Sequence, residues 1–254
     1  MRIISLQSGS NGNCIYVETD GVRLLFDAGI SGIQAQERLA FHGREIKGVD
    51  ALLISHDHSD HVRSMGIFHR KFALPVYVTA KTYRASSQYG LGEMKAVNHF
   101  GAGESLRFGK VVVETIPTPH DGVDGVGFVV DDGQHRLGVL TDLGHVFSDL
   151  EPIIRSLDAA VLESNYDPEM LANGSYPRWL QKRIAGPGGH ISNRESAELL
   201  LKTASNRMKW ACLAHLSHDN NTPDLALRTH RTVLGDRMSL FVATRHGPTG
   251  VLEV

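Results

Sequence analysis

The stretch Ser55-His56-Asp57-His58-Ser59-Asp60-His61 constrains this chain more than any other. It packs three histidines and two aspartates into six consecutive residues, 56–61. The run Val49-Asp50-Ala51-Leu52-Leu53-Ile54 leads into it. A short aliphatic run of this kind reads as a buried strand, which places the polar residues on a loop at the strand's carboxyl end. Imidazole nitrogen and carboxylate oxygen are the ligands that zinc and similar divalent ions take. In extended backbone His56 and His58 point the same way, because side chains alternate with a period of two, so they can share one ion. Asp60 and His61 follow a turn and can face a second ion. A solvated His-rich loop would explain a lone His-x-His, but not the added Asp-His directly behind a buried strand.

These residues match the signature His-x-His-x-Asp-His, and the chain resembles the metallo-β-lactamase-fold hydrolases. The resemblance implies a four-layer αββα sandwich with its site at the sheet edge between two related halves.

The rest of the sequence is compatible with that fold. At 254 residues, with 41% hydrophobic and 21% charged residues, the chain can bury a sizeable core, and it is read as a single domain over 1–254. No apolar run is long enough to span a bilayer. The start, Met1 to Gly9, turns polar too quickly for a signal peptide, so a cytoplasmic location is expected. Cys14 and Cys212 make no disulfide framework and are read as small buried residues. A net charge of -2 does not support nucleic-acid binding by a globally basic surface, although a local patch stays open.

Taken in order, residues 2–7, 14–18 and 22–27 read as strands, 32–42 and 62–72 as helices, 75–79 as a strand and 80–89 as a helix. Strand-like runs fill 104–116 and 126–141. Helix and strand alternate from 146: a helical stretch over 146–156, a strand over 157–163, helices within 167–184 and over 191–206, a strand at 209–216, a helix at 223–234, and short strands at 239–243 and 250–254. Two strand groups interleaved with helices give an α/β layered class. Ser8-Gly9-Ser10-Asn11-Gly12-Asn13 reads as a tight turn, though its small residues would also let a substrate approach the backbone.

Further segments supply what a two-metal site needs. Leu25-Phe26-Asp27-Ala28-Gly29 ends a strand on an acid and a glycine; the resemblance makes Asp27 a residue that supports the metal loop from behind. Pro117-Thr118-Pro119-His120-Asp121 is stiffened by two prolines, and the resemblance implies that His120 completes the first metal's set. Val139-Leu140-Thr141-Asp142 again delivers an acid from an apolar strand. A carboxylate can bridge ions about 3.5–4 Å apart, the usual separation in two-metal hydrolytic sites. The resemblance assigns that bridge to Asp142, where a true β-lactamase would usually carry cysteine. In Ala211-Cys212-Leu213-Ala214-His215-Leu216-Ser217-His218, His215 and His218 compete for the last position. His-Leu-Ser followed by Asn220-Asn221 resembles the bacterial WalJ/YycJ-type branch of the fold, which favours His215. The implied ligand set is therefore His56, His58, Asp60, His61, His120, Asp142 and His215, holding two divalent ions. Zinc suits the histidines, and manganese can use the same atoms.

The metals indicate hydrolysis but do not choose a substrate. Gly186-Pro187-Gly188-Gly189-His190-Ile191-Ser192-Asn193-Arg194-Glu195 is the segment that can choose. Ser192 and Glu195 have capping-box spacing, and free amides at a helix start beside a glycine-rich loop suit an anion. Between 178 and 194 stand Arg178, Lys182, Arg183 and Arg194, with no acid. His190, Ser192, Asn193 and Arg194 are thus expected to meet a phosphate, with Asp60 and His190 as catalytic residues. Gly-His-Ile-Ser-Asn also resembles the WalJ/YycJ-type proteins and a phosphate-binding motif of nucleases with this fold. The expected activity is phosphodiester hydrolysis on nucleic acid, in its most specific form as a DNA exonuclease. Residues 143–214 are too few for an inserted cap domain of the β-CASP type. Rival readings are a cyclic phosphodiesterase of small molecules, a glyoxalase II-like thioesterase, and a non-catalytic regulatory protein with a metal. A thioesterase has no need of the basic 178–194 stretch.

Overall fold

A computed structural model describes all residues, 1–254. The chain forms two seven-stranded sheets in succession. The first holds β1 (Arg2–Gln7), β2 (Cys14–Thr19), β3 (Val22–Phe26), β4 (Ala51–Leu53), β5 (Val76–Thr79) and β6 (Val97–Phe100). The second holds β7 (Ser105–Phe108), β8 (Val111–Pro117), β9 (Val126–Asp131), β10 (Arg136–Leu140), β11 (Ala159–Glu163), β12 (Trp210–Ala214) and β13 (Ser239–Val242). β14 (Leu252–Glu253) returns to pair with β1. Each sheet begins antiparallel and becomes parallel: β1-β2-β3 are followed by β4-β5-β6, and β7 to β10 by β11-β12-β13. The parallel switch aligns the carboxyl ends of β3 and β4 in one sheet and of β10, β11 and β12 in the other, where loops can converge on a ligand.

Helices α1 (Gly32–Phe41), α2 (Ser59–Val62), α3 (Met65–Phe72) and α4 (Ala80–Ser86) belong to the first half, and α5 (Leu150–Ser156), α6 (Pro168–Asn173), α7 (Arg178–Ile184), α8 (Asn193–Thr203) and α9 (Pro223–Leu234) to the second. Period-two alternation sorts the apolar residues of each strand between two cores. Phe26 and Leu53 face the other sheet, whereas their neighbours Leu25 and Leu52 face the helices with Leu39 and Phe68. In the second sheet Phe128 faces inward in the same way, while Val129 and Leu140 face the layer that holds Leu150 and Leu199. The result is the αββα sandwich. No helix is long and apolar enough to cross a membrane.

Phe26 and Phe128 meet across the sheets with ring centroids 5.0 Å apart, and each is 1% exposed. Phe128→Ala opens a void between two sheets that cannot close over it. We expect a loss of about 3–5 kcal/mol, read as a lower urea midpoint with an unchanged slope.

Several boundaries differ from the sequence-based expectation. The helix expected over 62–72 is two pieces, because the carbonyls of Asp60 and His61 accept from the amides of Asn13 and Ala28 and so cannot continue a helical ladder. The strand 97–100 was not expected; Asn98 and His99 are exposed on it, so its pattern is not apolar. The helix expected from 191 starts at Asn193 with Ser192 as its cap, and that expected over 146–156 starts at Leu150.

Candidate metal centre and active-site cleft

The candidate residues all follow strand ends. Asp27 follows β3, the His56–His61 loop follows β4, His120 follows β8, Asp142 follows β10 and His215 follows β12. Three of them leave their strands in the left-handed region, with φ of 65° at Asp27, 57° at Asp142 and 56° at His215. Such backbone costs of the order of 1 kcal/mol or more per residue and persists where surrounding structure imposes it. Both halves use the same device, Asp-x-Gly. A Cβ on Gly29 would lie 1.6 Å from the Asp60 carbonyl oxygen, and one on Gly144 would lie 1.7 Å from that of Pro119. Only glycine lets these strand ends close onto the neighbouring loops.

The five histidines are each held by one ring nitrogen, which turns the other inward; the inner Nε2 of His61 also has the Asn13 side-chain nitrogen 3.0 Å away. His56 Nδ1 lies 2.9 Å from Ser55 Oγ. His58 Nε2 lies 3.3 Å from Asp121 Oδ1. His61 Nδ1 donates to Asp27 Oδ2 at 2.7 Å, His120 Nδ1 to the Gly189 carbonyl at 2.8 Å, and His215 Nδ1 to Glu163 Oε1 at 3.1 Å. This outer bonding sets tautomer and ring direction, as in metal sites generally. The inner atoms then converge. His58 Nδ1 and His120 Nε2 are 3.2 Å apart. Asp60 Oδ2 is 3.4 Å from His215 Nε2 and 3.5 Å from His61 Nε2. Asp142 stands between the groups, its Oδ2 3.4 Å from His61 Nε2 and its Oδ1 3.6 Å from His120 Nε2.

This arrangement fits divalent cations. With their outer nitrogens turned to a carboxylate and a carbonyl, His58 and His120 aim their remaining ring nitrogens at each other, the arrangement in which two imidazoles can share one cation. His56 Nε2 and Asp142 Oδ2 are buried with no hydrogen-bond partner, which is costly for polar atoms with nothing to bind. His56, His58 and His120 form one compact set; Asp60, His61 and His215 form another; and His56, His61 and Asp142 connect them. The electrostatics agree. Burial alone would raise the Asp142 carboxyl, but His215, His61 and His56 hold it well below the usual carboxylate range. Burial opposes charge on His215, yet Asp142, Asp60 and Glu163 push it up to about 10. Burial, reinforced by His61, drives His56 well down. The buried acids thus call for compensating positive charge.

Supporting residues complete the pocket. Asp27 accepts from the Ser55 amide at 2.8 Å and from Ser55 Oγ at 3.0 Å besides holding His61. Asp27→Asn replaces an acceptor of that imidazole with a mixed donor. We expect metal affinity to fall about 10–100-fold, measured by competition with a chromogenic chelator. Glu163 was not singled out from sequence. It is fully buried, accepts from the Leu143 amide at 2.9 Å, and holds His190 Nδ1 at 2.8 Å as well as His215. Burial opposes its charge, but His190 and the bonds from His190 and His215 bring its carboxyl down to about 2. Its signal was an acid closing the apolar strand Ala159-Ala160-Val161-Leu162-Glu163, the pattern that marks Asp27 and Asp142. In the sequence Asn13 belongs to the small-residue loop 8–13 and carries no sign of a role at the acids. Its side chain closes that turn on Gly9 and also donates to Asp60 Oδ2 at 3.1 Å. Nothing in a Gly/Asn-rich loop announces that contact.

The cluster opens into a cleft of about 280 Å³ whose walls include Tyr89, Asp121, Arg183 and His190. His190 is therefore beside the candidate metal residues. His218 is not: it is exposed and bonded to Asp219. Three expected phosphate contacts are corrected by the structure. Ser192 and Asn193 are buried, and Asn193 exchanges hydrogen bonds with Asn221 and accepts from Ser164. The helix start is spent internally, since the Asn193 amide donates to the Tyr166 carbonyl, and Ser192 and Glu195 cap each other. Arg194 is exposed, paired with Glu198 and outside the cleft. Of the four basic residues of the 178–194 stretch, the one that lines the cleft is Arg183, on α7.

Comparison with known proteins agrees with this architecture. Residues 22–215 match the family described as Beta-lactamase superfamily domain. The chain is 38% identical to the exodeoxyribonuclease WalJ of Streptococcus pneumoniae over 88% of its length and 84% of the relative's. It is 35% identical to the exodeoxyribonuclease YycJ of Bacillus anthracis, over 91% and 88%. Among solved structures, zinc-bound PqqB from Methylobacterium extorquens superposes over 100% of both chains with a TM-score of 0.74 at 19% identity, a likeness of fold. By matched family, sheet architecture and relatives, the chain belongs to the metallo-β-lactamase superfamily, in its WalJ/YycJ branch.

Proposed function

We propose that this chain is a dinuclear metal-dependent nuclease that shortens DNA from an end. The carrying observation is the convergence of lone pairs and buried carboxylates on an open cleft, in a chain 38% identical to a protein named as an exodeoxyribonuclease. His56, His58 and His120 with Asp142 would hold one divalent ion, and Asp60, His61 and His215 with Asp142 the other. Zinc is our choice, with manganese the alternative. Two such ions supply a nucleophile at neutral pH and offset charge on phosphoryl oxygens.

The chain's own groups do the remaining work. Asp27, Ser55, Asn13 and Glu163 fix the rings and Asp60 in place. Arg183, at the rim, gives Nε to Asp121 at 2.7 Å and keeps its other guanidinium nitrogens for a phosphate. His190 is tied through Nδ1 to Glu163, which leaves Nε2 for the cleft. From there it can hand a proton to the departing oxygen. The two cysteines, Cys14 and Cys212, are unpaired and buried, in keeping with a reducing cytoplasmic location.

The test is release of label from end-labelled double-stranded DNA. Metal-loaded protein should shorten the strand progressively, chelation should stop it, and zinc or manganese should restore it. Metal-loaded protein that leaves DNA intact but hydrolyses a thioester would overturn the proposal.

A further inference from the structure

Helix α7, Arg178-Trp179-Leu180-Gln181-Lys182-Arg183-Ile184, buries none of its residues. Trp179 is 67% exposed, whereas the chain's other tryptophan, Trp210, is 4% exposed. A tryptophan left in water gives up the burial that ordinarily stabilises it and calls for a partner. Its position limits what that partner is. Trp179 and Arg183 are four residues apart and so share a face of the helix, about 6 Å along its axis. Arg183 and Ile184 line the cleft. Trp179 therefore stands one helical turn from Arg183, a residue of the cleft wall. The charges that the helix itself carries have one sign. Arg178 and Lys182 are exposed, and neither has a carboxylate partner, unlike Arg183. A second aromatic, Tyr89, lines the same cleft.

We infer that Trp179 is a stacking platform for the end of the DNA strand, with Arg178 and Lys182 meeting the adjoining phosphates. The inference rests on the nuclease reading above. An indole offers a face to any base, and unpaired cations follow a backbone; together they bind nucleic acid without reading its sequence. A flat ring beside the cleft meets a base face only where stacking is interrupted, which happens at a strand end and not within a continuous duplex. The helix thus supplies a reason for the enzyme to begin at ends. An acidic peptide would meet the same cations but would leave the indole face without a matching surface.

The experiment uses the full chain. With Trp210→Phe as background, Trp179 is the only tryptophan, and an oligonucleotide bound in the presence of chelator should quench its fluorescence. Trp179→Ala should raise the apparent KM for end-labelled DNA about 5- to 150-fold, the range that one stacked base carries, with the loss falling on KM rather than kcat. Trp179→Phe should recover most of that loss. Absence of quenching, or a wild-type KM in Trp179→Ala, overturns the platform. Failure of the nuclease reading looks different: the parent protein would cleave bis-p-nitrophenyl phosphate and leave every DNA substrate intact.

Discussion

Replacing Asp142 is expected to abolish hydrolysis of DNA and of small phosphodiesters together. Asp142 is buried, reaches His61 on one side and His120 on the other, and keeps Oδ2 without a hydrogen-bond partner. No other carboxylate reaches both sets. Its removal leaves Asp60 as the remaining acid among the inner groups. Five histidines and a single carboxylate attract a second divalent ion poorly, because the charge of two ions is then offset by only one acid. The loss should exceed the roughly 10²–10³-fold that follows removal of a single preorganised electrostatic group, since two ions depend on this one. Asp142→Asn is a cleaner variant than Asp142→Ala. Its φ is 57°, and asparagine tolerates the left-handed region better than alanine does. Metal content after gel filtration should fall from two ions to one or none. A variant that keeps two ions and hydrolyses DNA at the parent rate would remove Asp142 from the centre.

Much of this site was legible because its signals are local. His56 and His58 are neighbours in sequence, and their spacing alone turns them the same way. Asp27 and Asp142 each end an apolar strand and precede a glycine two residues on, so their place at a strand end could be read directly. Glu163 carried the first half of that signal, but no glycine follows it, and its partners His190 and His215 lie far along the chain. Asn13 was invisible because its partner Asp60 comes from another loop. Ser192 and Asn193 misled for a physical reason. A capping box announces a helix start, and the same bonds use up the groups that would otherwise face an anion. The burial of Asn193 depends on Asn221 and Ser164, each twenty-eight or twenty-nine residues away. The break between α2 and α3 was hidden likewise, since it follows from amides at Asn13 and Ala28 capturing carbonyls at Asp60 and His61.

His190→Ala should separate DNA from an activated diester. The 3′ or 5′ oxygen that leaves a DNA phosphodiester is a poor leaving group and needs a proton in the transition state, whereas p-nitrophenolate departs without one. A general acid contributes about 10²–10⁴-fold where the proton is needed. The variant should therefore lose that much kcat on DNA and less than about tenfold on bis-p-nitrophenyl phosphate. Glu163 lies behind the effect. Its carboxyl, held down at about 2 by His190 and its bonds despite burial, stays ionised throughout the working range and fixes His190 Nδ1. Glu163→Gln should reproduce part of the DNA loss, but it also touches His215, so its metal content must be measured alongside. Full metal with a selective loss on DNA would place the pair at the leaving oxygen. Equal losses on both substrates in His190→Ala would instead place His190 among the groups that hold the phosphate or the metals. In that case protonation of the leaving oxygen would fall to solvent or to another group in the cleft.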